Sequence, residues 1–217
     1  MDDKEFLKIT KSFPDVSDEV ERVNSIKKEL RLATRRVRTL KNKYGFLQEL
    51  VDIKTHDDRL ESSLKSFFNE LGYTDVRKVG NKYRREDLQI WTDNKLLVIE
   101  AKGITRPTPK DHECEQVAKY MRLRRKKVKD RDVYGLFVVN NDNEKYFAKR
   151  NSTPFDKRKV EYAEAGEYGL TTSVDLLTAF LLIKTGKLTL EEFENKICST
   201  GLIKFESKSP KTRPTMG

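Results

Sequence analysis

Glu86-Asp87-Leu88-Gln89-Ile90-Trp91-Thr92-Asp93-Asn94-Lys95-Leu96-Leu97-Val98-Ile99-Glu100-Ala101-Lys102-Gly103 is the stretch whose reading decides the fold. Two β-type runs, Leu88–Trp91 and Leu96–Ala101, flank Thr92-Asp93-Asn94-Lys95, which has the chemistry of a hairpin turn. Side chains alternate along a strand, so Glu100 and Lys102 project from one face while Ile99 and Ala101 project from the other. Two charges at the end of an otherwise apolar strand are costly unless they are paired or bound to an ion. The hairpin brings Asp87, at the opening of one strand, beside Glu100 on the next. Carboxylates so placed repel each other unless a divalent cation lies between them. Lys102, on the same face, is placed to orient or deprotonate a metal-bound water, or to stabilise charge on a phosphate. An isolated Glu-x-Lys ordinarily means a surface ion pair at a strand end, and an isolated Asp a turn cap. Here the tripeptide follows four consecutive aliphatic residues, precedes Gly103 and has an acid on the preceding strand, and the combination points to a site.

Working outward, His56–Gly72 reads as an amphipathic helix carrying Leu60, Leu64, Phe67, Phe68 and Leu71, with Gly72 as its stop. A short strand is expected at Tyr73–Val79. Downstream, a helix from Asp111 to Val128 precedes a nearly continuous apolar strand, Tyr134–Val139, broken by Asn140-Asn141-Asp142-Asn143. The polar sequence up to Tyr162 reads as loop with a short helix. A strand at Tyr168–Leu170 then feeds a helix with a capping pattern at Thr172 and Asp175. Thr189 and Glu192 repeat that pattern for the last helix, and Gly201–Phe205 is expected as a terminal strand. This order predicts an α/β fold: a mixed central sheet flanked by helices, with an N-terminal α-helical arm. The expected domains are 1–55 for the arm, 56–206 for the α/β core and 207–217 for a disordered tail.

In the arm, residues 1–14 are a polar lead-in. Val16, Val20, Val23, Ile26, Leu30, Ala33, Val37, Leu40, Tyr44, Leu47 and Val51 then follow at spacings of three and four, a near-heptad seam with one three-residue stammer. Gly45 marks a break into a second helix. Between Arg22 and Lys43 the other faces carry nine Lys/Arg, with Glu29 as the only acid. Three readings fit this helix: an arm packed on its own domain, a coiled coil that makes a homodimer or joins a partner protein, and a DNA-contacting helix.

Composition bounds the function. The 217 residues carry 45 Lys+Arg against 35 Asp+Glu, a formal net charge of +10, which favours a polyanionic partner. Cys114 and Cys198 lie far apart, and His56 and His112 are the only histidines, so neither a disulfide framework nor a Cys/His metal site organises the chain. A metal here would be held by carboxylate oxygens, which favours hard cations such as Mg²⁺ or Mn²⁺. No apolar run approaches the roughly 20 residues that cross a bilayer, and the first residues lack the apolar stretch of a signal peptide. The expected location is therefore the cytoplasm, with no membrane association.

Asp87 and Glu100-Ala101-Lys102, with acids thirteen positions apart, resemble the PD-(D/E)xK nuclease superfamily, which has the restriction-endonuclease-like fold. Leu60-Glu61-Ser62-Ser63-Leu64 before Leu71-Gly72-Tyr73 is similar to the family's first-helix glutamate motif. Gln116-Val117-Ala118-Lys119-Tyr120 matches the Gln-x-x-x-Tyr of its RecB-like branch, and Tyr162–Leu177 is similar to the C-terminal part of Mrr-like and defence-associated nucleases. Glu86 stands where the pattern's proline would be. The resemblance spans about Asp57 to Phe205. It implies that Asp87, Glu100 and the Ala101 backbone carbonyl ligate Mg²⁺, that Lys102 activates the attacking water, and that Glu61 completes the outer metal shell. It further implies that Gln116 and Tyr120 contact the phosphate backbone or hold Lys102 in place.

Arg122, Arg124, Arg125, Lys126 and Lys127 continue that helix as a basic stretch suited to tracking a phosphate backbone, and Arg84 and Arg85 just precede Asp87. The expected function is a Mg²⁺-dependent DNA endonuclease (Mn²⁺ able to substitute), acting as the effector of a restriction or anti-phage defence system. The alternative is a non-catalytic nucleic-acid-binding or assembly subunit that retains the nuclease fold.

Overall fold

The hairpin turn forms as its chemistry predicts. In the computed structural model, which describes residues 14–52, 57–79 and 86–206, Thr92 N donates to Lys95 O at 2.9 Å and Lys95 N donates to Thr92 Oγ1 at 3.1 Å. The lead-in before Pro14, His56, Arg84, Arg85 and the tail from Ser207 lie outside the described residues.

The chain divides into two units, Met1–Gly45 and Phe46–Gly217. The first contains α1 (Pro14–Lys43), a single 30-residue helix that opens with Pro at its first position, Asp15 in its first turn and Lys41 and Lys43 in its last, as the helix dipole favours. The expected break falls at Tyr44, just before Gly45 opens α2 (Gly45–Val51). The second unit starts at Phe46 rather than after residue 55. The physical reason is that α2 packs as part of this unit: Leu50 is fully buried, Ser63 Oγ donates to Phe46 O at 2.5 Å, and Phe46 meets Phe180 edge-on at 5.9 Å.

The second unit then runs α3 (Asp57–Glu70), β1 (Asp75–Lys78), β2 (Leu88–Trp91), β3 (Lys95–Gly103), α4 (Asp111–Cys114), α5 (Gln116–Lys127) and β4 (Asp132–Asn140). A short 3₁₀ turn at Phe147–Lys149 precedes α6 (Lys157–Ala165), β5 (Tyr168–Thr172), α7 (Ser173–Lys184), α8 (Leu190–Ile197) and β6 (Gly201–Leu202). The strands form one sheet in the order β1-β2-β3-β4-β5-β6. β1, β2 and β3 are antiparallel, whereas β3/β4, β4/β5 and β5/β6 are parallel, so the sheet is mixed as expected. The parallel pairs need crossovers, and α4–α5, α6 and α7–α8 supply them in turn. The helix expected over Asp111–Val128 is two pieces that meet at Glu115. β4 extends beyond its apolar run because β3 pairs with it over nine residues, from Lys95↔Asp132 to Gly103↔Asn140.

Helices cover both faces, and Leu96 through Ala101 are accordingly all buried. On one face Leu96, Val98, Phe137 and Val139 pack with Val117, Tyr120 and Met121 of α5 and Ala163 of α6. On the other, α3 packs on β1 and β3 and α7 on β4 and β5. Phe67 there lies 5.8 Å from Phe180 and 6.1 Å from Phe193, a ring cluster that joins α3, α7 and α8. Two caps fix the last helices. Thr172 accepts from Asp175 N at 3.0 Å, and Thr189 and Glu192 form a full capping box. Gly135 in β4 lets α5 approach closely, since a Cβ there would lie 3.1 Å from Val117 and 3.2 Å from Met121. No helix among the described residues is long and apolar enough to cross a membrane.

Candidate active site

The antiparallel register sets the site. Leu88 pairs with Ile99, so Asp87, one residue earlier, faces Glu100 across the ladder. Asp87 N donates to Ile99 O at 3.1 Å, and Asp87 Oδ2 accepts from Ala101 N at 2.8 Å, which clamps the carboxylate against the β3 backbone. Both acids are nearly sealed from solvent, Asp87 at 5% and Glu100 at 3% exposure. Lys102, on the same strand face, lies 2.9 Å from Glu100 Oε1. The second oxygen, Oε2, is buried and has no hydrogen-bond partner.

The electrostatics follow from this burial. Loss of hydration and then the facing Glu100 charge push Asp87 up to about 7, although the Ala101 amide and Lys102 pull against them. Burial also raises Glu100, and Lys102 offsets part of that rise. Burial draws the Lys102 ammonium down, but its charge pairing and hydrogen bond with Glu100 prevail and hold it above its ordinary value. Two facing carboxylates, one pushed up to about 7 and the other with a buried bare oxygen, form a hard-oxygen donor pair that a divalent cation fits. Among the described residues no three carboxylate, imidazole or thiol groups gather around one point. Any such ion would therefore rest on these two carboxylates with backbone and water oxygens, and the Ala101 carbonyl is the adjacent backbone group.

The structure brings Glu61 and Tyr120 to this site. Glu61 is 3% exposed, lies 3.0 Å from Lys78 Nζ and is near enough to raise both Asp87 and Glu100. Tyr120 is buried on the α5 face, and burial, then the Glu100 and Asp87 charges, raise its phenol. Gln116 is separate. It lines a cleft of about 510 Å³ with His112, Lys119, Arg122, Tyr162 and Tyr168, and its side chain makes no hydrogen bond among the described residues.

The basic residues of α5 also divide. Arg122, Lys126 and Lys127 are exposed. Arg124 turns inward, its Nε 2.5 Å from Glu86 Oε1, and Arg125 binds Glu167 and the Val133 carbonyl, the latter at 3.1 Å. Glu86 is 2% exposed and also accepts from Gln89 Nε2, while Gln89 Oε1 accepts from Trp91 Nε1 at 2.9 Å. The residue in the proline position of the motif is thus the buried anchor of a polar chain that leads from α5 to β2.

Three site neighbours escaped the sequence reading. Asp57 Oδ1 accepts from Gly103 N at 2.8 Å and raises Glu100. Lys78 bridges Glu61 and Asp58. Glu86 pairs with Arg124. Asp57 reads only as an ordinary acid in a first helical turn, 46 residues from Gly103. Arg124 did carry a signal: it sits one helical turn beyond Tyr120, on the same side of α5.

No protein-family model matches this sequence, and no curated protein does. The structure, in contrast, superposes on solved endonucleases. Restriction endonuclease FokI matches at a TM-score of 0.54 with 19% identity, over 73% of this chain and 30% of FokI. The small subunit of the heterodimeric restriction endonuclease R.BspD6I matches at 0.52 with 14% identity, over 72% of this chain and 86% of that one. The chain has the restriction-endonuclease-like fold. It spans less than a third of FokI's length but most of the small subunit's. In this fold the β2–β3 hairpin carries Asp87 and the Glu100-Ala101-Lys102 tripeptide at adjoining strand ends.

Proposed function

We propose that the protein is a divalent-metal-dependent endonuclease that hydrolyses DNA phosphodiester bonds. The observation that carries this reading is Glu100 Oε2, a buried carboxylate oxygen with no partner, beside an Asp87 pushed up to about 7. A polar arrangement left that unsatisfied costs stability, and the cost is understandable where a ligand supplies the missing partner. Asp87, Glu100 and the Ala101 carbonyl would hold Mg²⁺ or Mn²⁺. The bound ion would acidify water and offset charge on the scissile phosphate.

The chain's own residues do the rest. Lys102, kept protonated by Glu100, orients the attacking water and faces the developing phosphate charge. Glu61, held by Lys78, keeps negative charge behind the site and so strengthens cation binding. Tyr120, near enough for both acids to raise its phenol, closes the α5 side. Exposed Arg122, Lys126 and Lys127, with Arg84 and Arg85 just upstream of Asp87 in sequence, supply the phosphate contacts. Gln116 and Lys119, which line the same cleft as Arg122, extend that path. Action as a restriction or anti-phage effector, in the cytoplasm, is part of the same proposal.

The test is incubation of supercoiled plasmid with the protein in Mg²⁺, in EDTA and with Asp87→Ala. Nicking or linearisation is expected in Mg²⁺ alone. Cleavage that survives EDTA or the substitution would overturn the mechanism. The likeness to the small subunit of a heterodimeric enzyme favours one other reading, a non-catalytic or assembly subunit. DNA bound but uncut in both Mg²⁺ and Mn²⁺ would select it.

A further inference from the structure

The active-site proposal makes no use of α1. No residue between Pro14 and Lys43 is buried, and Val23, Ile26, Leu30, Val37 and Leu40 are between 40% and 65% exposed. From Val23 onward the apolar spacing is 3, 4, 3, 4, 3, without a stammer. Val23, Leu30 and Val37 therefore fall at heptad positions a, and Ile26, Ala33 and Leu40 at d. β-branched or aliphatic residues at a with mainly Leu or Ile at d suit a two-stranded coiled coil.

The flanking charges decide which helix can cover this seam. Positions g hold Arg22, Glu29 and Arg36, and positions e hold Lys27, Thr34 and Lys41. In a parallel pair each g residue faces the e residue of the next heptad on the opposite helix. A second copy of this chain would set Arg22 against Lys27 and Arg36 against Lys41, each twice by symmetry, with Glu29 facing neutral Thr34. Antiparallel self-pairing with its a and d layers aligned does little better. It gains Glu29–Arg36 but sets Arg22 against Lys43. Within α1 these cations are barely neutralised. Arg22 lies 3.8 Å from Glu19, and Lys27, Arg36 and Lys41 have no carboxylate partner among the described residues. Nucleic acid would meet the cations but would leave the apolar seam in water.

We propose that α1 is the docking helix for a second protein, through a two-stranded coiled coil whose other helix carries Asp or Glu at its e and g positions. Its charge pattern recruits that partner and disfavours self-association. The inference stands apart from the catalytic reading.

The test uses the full chain at about 150 mM salt, where screening acts over roughly 8 Å. Fluorescence anisotropy follows a labelled four-heptad peptide with Ile at a, Leu at d and Glu at every e and g, alongside an otherwise identical peptide with Lys at e and g. The acidic peptide is expected to bind at least tenfold more tightly, and the quadruple variant Arg22→Glu, Lys27→Glu, Arg36→Glu, Lys41→Glu to reverse that preference. Equal binding of both peptides, or an unchanged preference in the variant, would overturn the proposal. So would a dimer in sedimentation of the chain alone that Leu30→Asp with Leu40→Asp dissociates, since a second copy would then cover the seam. Loss of duplex DNA affinity in the quadruple variant without any peptide preference in the parent would instead make α1 a nucleic-acid contact.

Discussion

Replacing Asp87 with Asn is expected to stabilise the metal-free protein at pH 8 while abolishing cleavage. The carboxyl is pushed from an ordinary 3.8 up to about 7, first by burial and then by Glu100. The folded state thus holds a proton that the unfolded chain has released between about pH 4 and pH 7. Stability is greatest below the unfolded value, declines as pH rises through that window, and stays low above it. At about 1.36 kcal/mol per pH unit, the gap between 3.8 and about 7 bounds the loss at about 4 kcal/mol. Asparagine removes the charge, and its amide oxygen can still accept from Ala101 N, the bond now made by Oδ2. Its amide hydrogens can also approach the bare Glu100 Oε2. The gain at pH 8 should therefore be on the order of 2–4 kcal/mol, and near zero at pH 4. For a chain of this size that is a rise in Tm of about 5–10 °C at pH 8. Urea unfolding in EDTA at the two pH values measures the difference directly. If parent and Asp87→Asn differ by the same amount at both, or if the variant is less stable at pH 8, the Asp87–Glu100 repulsion is not what the geometry says. Mg²⁺ should narrow the gap at pH 8 by stabilising the parent alone.

Lys102→Met should reduce plasmid cleavage by about 10²-fold or more, because it removes the cation facing the phosphate. It should also cost on the order of 2–3 kcal/mol at pH 8, because Glu100 loses its buried partner, and urea unfolding reads that cost. Glu86→Ala strands the Arg124 guanidinium and should destabilise by about 3 kcal/mol, whereas Glu86→Met with Arg124→Met should recover most of it; a double-mutant cycle separates the two. Phe67→Ala opens the ring cluster on the α3 face and should cost about 3–5 kcal/mol, with cleavage per folded molecule unchanged.

Much of the fold was legible because its determinants are local. The turn at Thr92–Lys95, the unbroken aliphatic run of β3 and the capping residues at Thr172 and Thr189 each announce an element within a few residues. The hairpin then converts a sequence distance of thirteen into cross-strand neighbours, which is why Asp87, Glu100 and Lys102 could be placed together from sequence. The parts that were not legible depend on pairings across distant elements. Asp57 reaches Gly103 only because α3 begins over the end of β3. Lys78 reaches Glu61 only because β1 lies beside α3. Neither pair has a local signature, since an acid in a first helical turn is ordinary and a charged lysine on an edge strand is equally so. The boundary at Phe46 had the same origin. The seam through Leu47 and Val51 continues the arm's period, and it was packing against Ser63 and Phe180 that assigned those residues to the sheet unit.

The basic stretch of α5 shows why charge counting overstates a binding surface. Arg122, Arg124, Arg125, Lys126 and Lys127 are alike in sequence, yet a helix distributes them around its circumference, and what each contributes depends on what lies beneath it. The side that carries Tyr120 over the acids also carries Arg124, which meets Glu86. That carboxylate is 2% exposed, and an unpaired charge there would be far costlier than the phosphate contact that Arg124 forgoes. Arg125 is drawn to Glu167 and the Val133 carbonyl in the same way. The residues left for a polyanion are those whose side of the helix meets no acid: Arg122, Lys126 and Lys127. Because Arg124 is tied to the residue that immediately precedes Asp87, the helix that presents those cations is anchored to the strand that presents the proposed metal-binding acid. A phosphate backbone lying along α5 would therefore be held in fixed register with the proposed cleavage site.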